Sequence, residues 1–199
     1  PQIFDSEIEM FQNEYRQVNK NSSFIADFGI TKGYQSSLPG SKRNSIGHLF
    51  AKYDKDLEIK NFNNSDLKIT LESVTNDTFL NVFKNNLIKS SVKPNSLSSL
   101  ESGIDFYLDN ENFNFSAGLE VYERLSGKES DRYQYSFPNY NYSTNFLNEI
   151  FDGTFDFSSS GNNVLNNTNV MKTTINNDLK YSSLDYFSSL GFQNNFNVY

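Results

Sequence analysis

The sequence predicts an all-β fold, an antiparallel meander of roughly ten strands. Three observations lead to this prediction. Apolar and polar residues alternate at every second position in segment after segment, and no stretch keeps a 3.6-residue period. Only 36% of the residues are hydrophobic and mean hydropathy is −0.61, yet there are 19 Phe and 12 Tyr. Disordered chains are poor in aromatic residues, so this composition favours sheets with one polar face.

The first half of the chain contains five alternating segments, namely EMFQNEYRQV, FIADFGIT, IGHLFAKY, LEIKNF and DLKITLESV. The turn-like NKNSS separates the first two. The polar segment GYQSSLPGSKRNS contains Pro39-Gly40 and is predicted to be a longer loop. We expect IGHLFAKY and LEIKNF to be separate strands that are joined near Asp54 to Asp56.

The alternation breaks in residues 75–102, TNDTFLNVFKNNLIKSSVKPNSLSSLES. The apolar residues Phe79, Leu80, Val82 and Phe83 predict a short helical turn or a folded loop here. Pro94 ends any helix nearby because its ring is incompatible with a helix interior.

The second half of the chain returns to alternation. GIDFYL and FNFSAGLEVYERL flank DNEN, which predicts a hairpin. DNEN also offers oxygen ligands for calcium, but it lacks the spacing and terminal Glu of an EF-hand loop, so we interpret it as a turn. RYQYSFPNYNYST, interrupted by Pro138, then GTFDFSSSG, MKTTINNDLKYSS and the run from Leu190 complete the predicted strands.

The composition argues against several functions. A net charge of −7 argues against nucleic acid as a partner. The chain has no Cys and a single His, His48, which leaves too few ligands for zinc. No nucleophile-elbow motif accompanies His48, so we expect a strand histidine that faces water or a barrel interior. We therefore predict no catalytic, metal or cofactor site. No window approaches the ~20 apolar residues of a membrane helix.

Alternation alone leaves two architectures open. In a secreted β-sandwich or adhesin-like binding module, the apolar face packs into a core. In an outer-membrane barrel, it faces lipid and the polar face lines the interior. Alternating runs of about ten residues favour membrane strands, and polar residues such as Asn177 and Asn194 at outward positions argue against a dry core.

Three segments, taken in order, resemble one family, the outer-membrane lipopolysaccharide-assembly protein LptD. QNEYRQV, with the hairpin and the loop ending in SKR that follow it, is similar to the opening of that family's barrel. LKITLESVTNDTFLNVF is similar to a strand that ends in a Val-Ser-Asp-like turn before an aromatic pair. YERLSGKESDRYQYSFPNYNYS resembles the next strand, loop and Pro-bearing strand. The matching positions are Val74, Asp77, Phe79, Leu80, Phe83, Tyr135 and Pro138.

The resemblance implies that residues 1–199 are part of the first half of a barrel of about 26 strands, an open curved sheet if seen alone. The periplasmic N-terminal domain and the C-terminal strands would then lie outside the chain, whose two ends look cut. The implied function is transport of lipopolysaccharide into the outer leaflet of the bacterial outer membrane. The implied partners are lipopolysaccharide, outer-membrane lipids, an LptE-type plug lipoprotein and, through the missing domain, an LptA-type periplasmic bridge. Another outer-membrane barrel, a porin or a receptor, is an alternative.

The alternation assigns side chains to the two faces of such a barrel. The predicted lumen-facing residues are Glu14, Arg16, Asp27, Lys68, Glu72, Asn114, Ser116 and Glu120. The predicted lipid-facing residues are Phe24, Phe28, Leu67, Ile69, Leu71, Phe115, Leu119 and Val121.

Overall fold

Eleven strands form one antiparallel sheet in the computed structural model, which describes residues 2–4, 10–31, 46–128, 131–148, 152–166 and 170–199. From β1 to β10 each strand pairs with the next along the chain, and the short strand β13 joins the far edge. The prediction of an all-β antiparallel meander is therefore confirmed. The sheet is open, because within the described residues β1 and β13 are its edges and do not pair with each other.

The strands and helices have the following bounds. The strands are β1 Gln2–Phe4, β2 Met10–Asn19, β3 Ser22–Thr31, β4 Ile46–Asp56, β5 Asn64–Val74, β6 Ser99–Asn110, β7 Phe113–Arg124, β8 Tyr133–Asn148, β9 Gly153–Asn166, β10 Met171–Ser183, β11 Tyr186–Phe187, β12 Gln193–Asn194 and β13 Asn197–Val198. A helix α1 spans Phe79–Val82, and a 3-10 turn spans Leu87–Lys89. None of the described helices is long and apolar enough to cross a membrane.

The hairpin and the irregular strand predicted in the second half are both present. Strands β6 and β7 are joined by Glu111 and Asn112 alone, and the Asn112 backbone N–H donates to the Asn110 side chain at 3.0 Å. Strand β8 runs through Pro138 as a single strand of 16 residues. Its register shifts against both neighbours near this proline, which is where a β-bulge accommodates a residue that cannot donate to the ladder.

Two sequence-based strand assignments are wrong. Asp54 to Asp56 is the end of β4, and the following segment LEIKNF is a turn. Two of its residues, Glu58 and Asn61, have φ of 50° and 72°, which an extended strand does not allow. The run from Leu190 is also not one long strand, because a turn at Gly191, with φ of 82°, reverses the chain and pairs Gln193 with Phe187.

The two ends of the sheet differ in the length of their connections. At one end, the turn end, strands are joined by residues 20–21, 57–63, 111–112 and 149–152. At the other, the loop end, they are joined by residues 32–45, 75–98, 125–132 and 167–170. The predicted loop GYQSSLPGSKRNS lies in the first of these long connections, outside the described residues.

A small apolar core lies at the loop end, between the sheet and residues 75–98, which we call the covering segment. The sheet contributes the buried residues Met10, Ile46, Phe50 and Leu100, and the covering segment contributes Phe79, Leu80, Phe83 and Leu87. Leu125 completes the cluster. The prediction of a short helical turn or folded loop around Phe79 is confirmed, and the burial of its apolar residues explains why this connection is ordered against the sheet.

Candidate functional site

The strand register sorts the side chains of the sheet onto two chemically different faces. Residues that are paired across strands point the same way, so one row can be followed from Glu14 to Asp27, Phe50 and Glu72. We call the face that contains this row the polar face. It includes the corresponding alternate residues of every strand from β2 to β10. The opposite face is the apolar face. All eight residues predicted to face a lumen lie on the polar face, and all eight predicted to face lipid lie on the apolar face.

The apolar face is formed by rows of aromatic and aliphatic side chains that continue from strand to strand. Phe24, Tyr53 and Ile69 form part of one row, which continues through Ile104 to Leu119. Many of these side chains are solvent-exposed, and Leu119 retains 48% of its accessible surface. A monomeric soluble protein rarely leaves so extensive an apolar surface uncovered. This face therefore requires an apolar environment or partner.

The polar face has a different electrostatic character in different strands. From β4 to β7, acidic side chains outnumber basic ones. The acidic residues there are Asp54, Asp56, Asp66, Glu72, Glu101, Asp105, Asp109 and Glu120, and the basic residues are Lys52, Lys68 and Arg124. The corresponding positions of β8 carry only amide and hydroxyl groups from Gln134 to Asn145, with the exception of the bulge. The polar face is therefore acidic from β4 to β7 and uncharged on β8.

At the loop end, the covering segment lies directly on the polar face. Phe79 is fully buried, and its ring centroid lies 5.3 Å from that of His48 and 4.7 Å from that of Phe83. The sheet offers apolar side chains at this place, because Phe50 and Ile46 occupy positions of β4 that belong to the polar face. Burial of these aromatic and aliphatic groups holds the covering segment in place.

Polar contacts fix the two ends of the covering segment. Near its start, Arg132 donates to the carboxylate of Asp77 at 3.1 Å, which ties it to the connection between β7 and β8. Near its end, Ser91 donates its backbone N–H to Glu14 at 3.3 Å and its hydroxyl to the same carboxylate oxygen. Arg16 also pairs with Glu14. Two predicted lumen-facing residues, Glu14 and Arg16, thus anchor the covering segment.

Beneath the covering segment, a polar cluster is formed by the buried Asp27 and His48 and the partly buried Gln12. Asp27 has no exposed surface, and its carboxylate accepts from Gln12 Nε2 at 2.9 and 3.1 Å and lies 3.3 Å from His48 Nε2. The His48 ring stacks on Phe50 at 4.6 Å. Asp27 was predicted to face a lumen and His48 to face water or a barrel interior. Both lie on the polar face, but the covering segment shields both from solvent.

The geometry of this cluster argues for a structural role. His48 Nδ1 is buried and has no hydrogen-bond partner within the described residues, so no hydroxyl group is paired with the imidazole as a nucleophile would be. The cluster instead joins β2, β3 and β4 through side chains that satisfy the buried carboxylate. In the described part of the chain, no group of three or more His, Cys, Asp or Glu residues is arranged to hold a metal ion.

The remaining predicted lumen-facing residues form local contacts on the polar face. The Asn114 amide donates to the Tyr107 hydroxyl at 2.8 Å and to Asp109 at 3.3 Å. Glu120 accepts from the Tyr122 hydroxyl at 2.8 Å, and Glu72 accepts from the Glu101 backbone at 2.7 Å. Lys68 lies opposite Asp54 and Asp105, and Ser116 lies between Tyr107 and Asn141. The eight residues are thus spread over the face and do not converge on one point.

The turn end of the polar face contains a cavity of about 610 Å³, which opens between β6, β7, β8, β9 and β10. Among the residues that line it are Asp109, Asn114, Ser143, Ser158 and Tyr199. A second cavity of about 230 Å³ lies beside it, over Asn141, Ser160 and Asn176. Sequence reasoning did not single out β8 to β10 as a binding region, although the runs of Asn and Ser at alternate positions are visible in the sequence.

Comparison of the chain with models of known protein families, with curated proteins and with solved structures finds no match. Inferences about function therefore start from the fold and from the two faces of the sheet.

Proposed function

We propose that the chain is part of an outer-membrane β-barrel that transports lipopolysaccharide into the outer leaflet, in the manner of an LptD-type translocon. The single observation that carries this proposal is the pairing of an exposed apolar face with a polar face along nine strands of 10 to 16 residues, β2 to β10. A tilted membrane strand needs about 9–11 residues. Lipid is the environment that such an apolar face requires.

The connections support an orientation in the membrane. Outer-membrane barrels have short periplasmic turns and longer extracellular loops. The turn end, with residues 20–21 and 111–112, would then face the periplasm, and the loop end would face the outside of the cell. The covering segment would be an extracellular loop that folds inward over the polar face.

The two faces also match the chemistry of the proposed cargo. Lipopolysaccharide has a sugar head that needs water and acyl tails that need hydrocarbon. A polar face beside a membrane lets the head pass along hydrated side chains while the tails stay in lipid. In this proposal, the apolar face contacts outer-membrane lipids, and the LptE-type plug and LptA-type bridge are the expected protein partners. The three sequence segments that resemble LptD support this cargo over the cargo of a porin or a receptor.

Tryptophan substitutions test the face assignment, because the chain contains no Trp and each introduced residue is the only reporter. Leu119→Trp lies on the apolar face and Asn141→Trp on the polar face, both at exposed positions. In vesicles that contain brominated lipids, we expect strong quenching of Leu119→Trp and little quenching of Asn141→Trp. Equal quenching of both, or stronger quenching at position 141, would contradict the membrane proposal. A chain that is monodisperse and unfolds cooperatively without detergent would favour a β-sandwich or adhesin-like module.

The cargo is tested with the same reporter on the polar face. We expect the emission of Asn141→Trp in detergent micelles to change in a saturable way when lipopolysaccharide is added, and to be unaffected by phospholipid with similar acyl chains. Leu119→Trp is the matched control on the opposite face. No response to lipopolysaccharide at position 141, together with membrane insertion, would favour a porin or receptor barrel.

A further inference from the structure

The polar face carries an uncharged patch on its last three long strands, which we call the amide–hydroxyl patch. Its side chains form rows across β8, β9 and β10. The residues of the patch are Asn139, Asn141, Ser143, Ser158, Ser160, Asn162, Thr174 and Asn176. Charged residues of the same face lie along the strands on both sides of these rows. Lys172 lies on one side, and Asp156, Asp178 and Lys180 lie on the other, where Asp178 is paired directly with Ser158 of the patch. The centre of the patch, with Asn141, Ser160 and Asn176 in one row, is therefore uncharged and lies between charged residues.

Most hydrogen-bonding groups of the patch have no partner among the described residues. Within the described residues, the side chains of the patch make one hydrogen bond in the structure, which the Ser136 hydroxyl donates to Asn162 Oδ1 at 2.8 Å. An Asn amide supplies two N–H donors and a carbonyl acceptor, and a Ser or Thr hydroxyl supplies a donor and acceptor lone pairs. Sugar hydroxyl groups act in both roles, so either group can pair with them. The smaller cavity, of about 230 Å³, lies over the centre of the patch.

Charge favours a neutral ligand here and disfavours an anionic one on the neighbouring strands. On β6 and β7, Glu101, Asp105, Asp109 and Glu120 face the same side as the patch. These carboxylates would repel a phosphate group, whereas an uncharged sugar experiences no such charge–charge repulsion. The regular spacing of strands, about 4.8 Å, repeats the donors and acceptors along the sheet.

We propose that the amide–hydroxyl patch binds the neutral sugars of the glycolipid cargo. This inference rests on the proposed function, because the sugar chain is that of the transported lipid. Binding through exposed amides and hydroxyls, with water competing at each group, is weak. Weak binding at several adjacent positions fits a path, since a cargo must leave each position as readily as it enters.

The experiment titrates the chain with a neutral maltooligosaccharide and records the side-chain amide resonances of Asn141 and Asn176 by NMR. The sample is in micelles of a zwitterionic detergent, since a sugar-headed detergent would compete. The test variant is the double substitution Asn141→Ala with Asn176→Ala, both at exposed positions. The matched control is Asn177→Ala, the adjacent residue of β10, which lies on the apolar face. A sulfated form of the same saccharide is the anionic probe.

We expect saturable shifts of both amides with the neutral saccharide, an affinity lower by about tenfold in the double variant, and an unchanged affinity in Asn177→Ala. The sulfated probe should bind more weakly than the neutral one. Unchanged affinity in the double variant, an absence of shifts at both amides, or tighter binding of the sulfated probe would each overturn the proposal. If the double variant does not keep the circular dichroism of the parent chain, the single variant Asn176→Ala replaces it.

Failure of this inference is distinguishable from failure of the proposed function. Membrane insertion is measured by quenching with brominated lipid and does not involve a saccharide. Were the chain soluble without detergent, the saccharide titration could be carried out in buffer with the same variants. The two results are therefore independent.

Discussion

Two regions of the polar face follow the same alternation and differ in what covers them. At the loop end, β2 to β4 lie under the covering segment, and the residues they present include the apolar Met10, Ile46 and Phe50. On β8 to β10, the amide–hydroxyl patch is uncovered, and its residues are Asn, Ser and Thr. An apolar side chain on a polar face is costly when it faces water and favourable when something packs on it. These exceptions to the polar pattern therefore mark the place where the chain covers itself.

The largest effect on the free energy of unfolding is expected in the covered core, at Phe79. Truncation by Phe79→Ala removes a fully buried ring from the core and leaves a cavity beside His48 and Phe83. We expect the free energy of unfolding to fall by about 3–5 kcal/mol. A urea titration in the detergent that keeps the chain folded, monitored by far-UV circular dichroism, measures it.

A position in the same segment provides the control for Phe79. Ile88 is 63% exposed, so Ile88→Ala should change the free energy of unfolding by no more than about 0.5 kcal/mol. Limited proteolysis gives a second readout, because Phe79→Ala should expose residues 75–98 to cleavage and Ile88→Ala should not. Equal stability of the two variants would show that the covering segment does not pack on the sheet as the structure has it.

The next effect is expected at Asp27, in the polar cluster. Asp27→Ala removes the acceptor of the partly buried Gln12 and the partner of the buried His48. Leaving such donors unpaired costs about 1–3 kcal/mol of the free energy of unfolding. Asp54→Ala is the control on the neighbouring strand, since its pair with Lys52 is partly exposed and should contribute less than about 1 kcal/mol. If both variants lost the same stability, the hydrogen bonds of the cluster would not be what stabilises the contact between β2, β3 and β4.

The meander could be predicted from the sequence, and so could the separation of the sixteen assigned side chains onto two opposite faces, because both follow from a period of two that is repeated in every strand. The prediction of LEIKNF as a strand was wrong because Glu58 and Asn61 adopt positive φ. Neither is a glycine, the residue that would have indicated a turn in the sequence. The sequence did not predict where the covering segment packs. The apolar Phe50 on the polar side of β4 was a visible signal of a covered site, but the sequence does not show that Phe79 of α1 is buried in the same cluster.

A smaller effect is expected at the start of the covering segment. Arg132 pairs with Asp77 and also donates to the carbonyl oxygen of Gly127 at 3.1 and 3.2 Å. The pair is partly exposed, so solvent screens it. A double-mutant cycle of Arg132→Ala and Asp77→Ala should give a coupling energy of about 0.2–1 kcal/mol. A coupling above that range would mean that this ion pair, and not the burial of Phe79, holds the covering segment.

The smallest effect on stability is expected in the amide–hydroxyl patch. Asn176 is exposed, and its side chain makes no hydrogen bond with the described residues, so Asn176→Ala should leave the free energy of unfolding within about 0.5 kcal/mol of the parent. The same urea titration that measures Phe79→Ala checks this. A loss of more than 1 kcal/mol would place Asn176 in the packing of the sheet and remove it from the proposed path. The patch would then contribute to stability as the covered loop end does. The proposed path requires the contrary, because side chains that contact a passing sugar must be free of contacts that stabilise the fold.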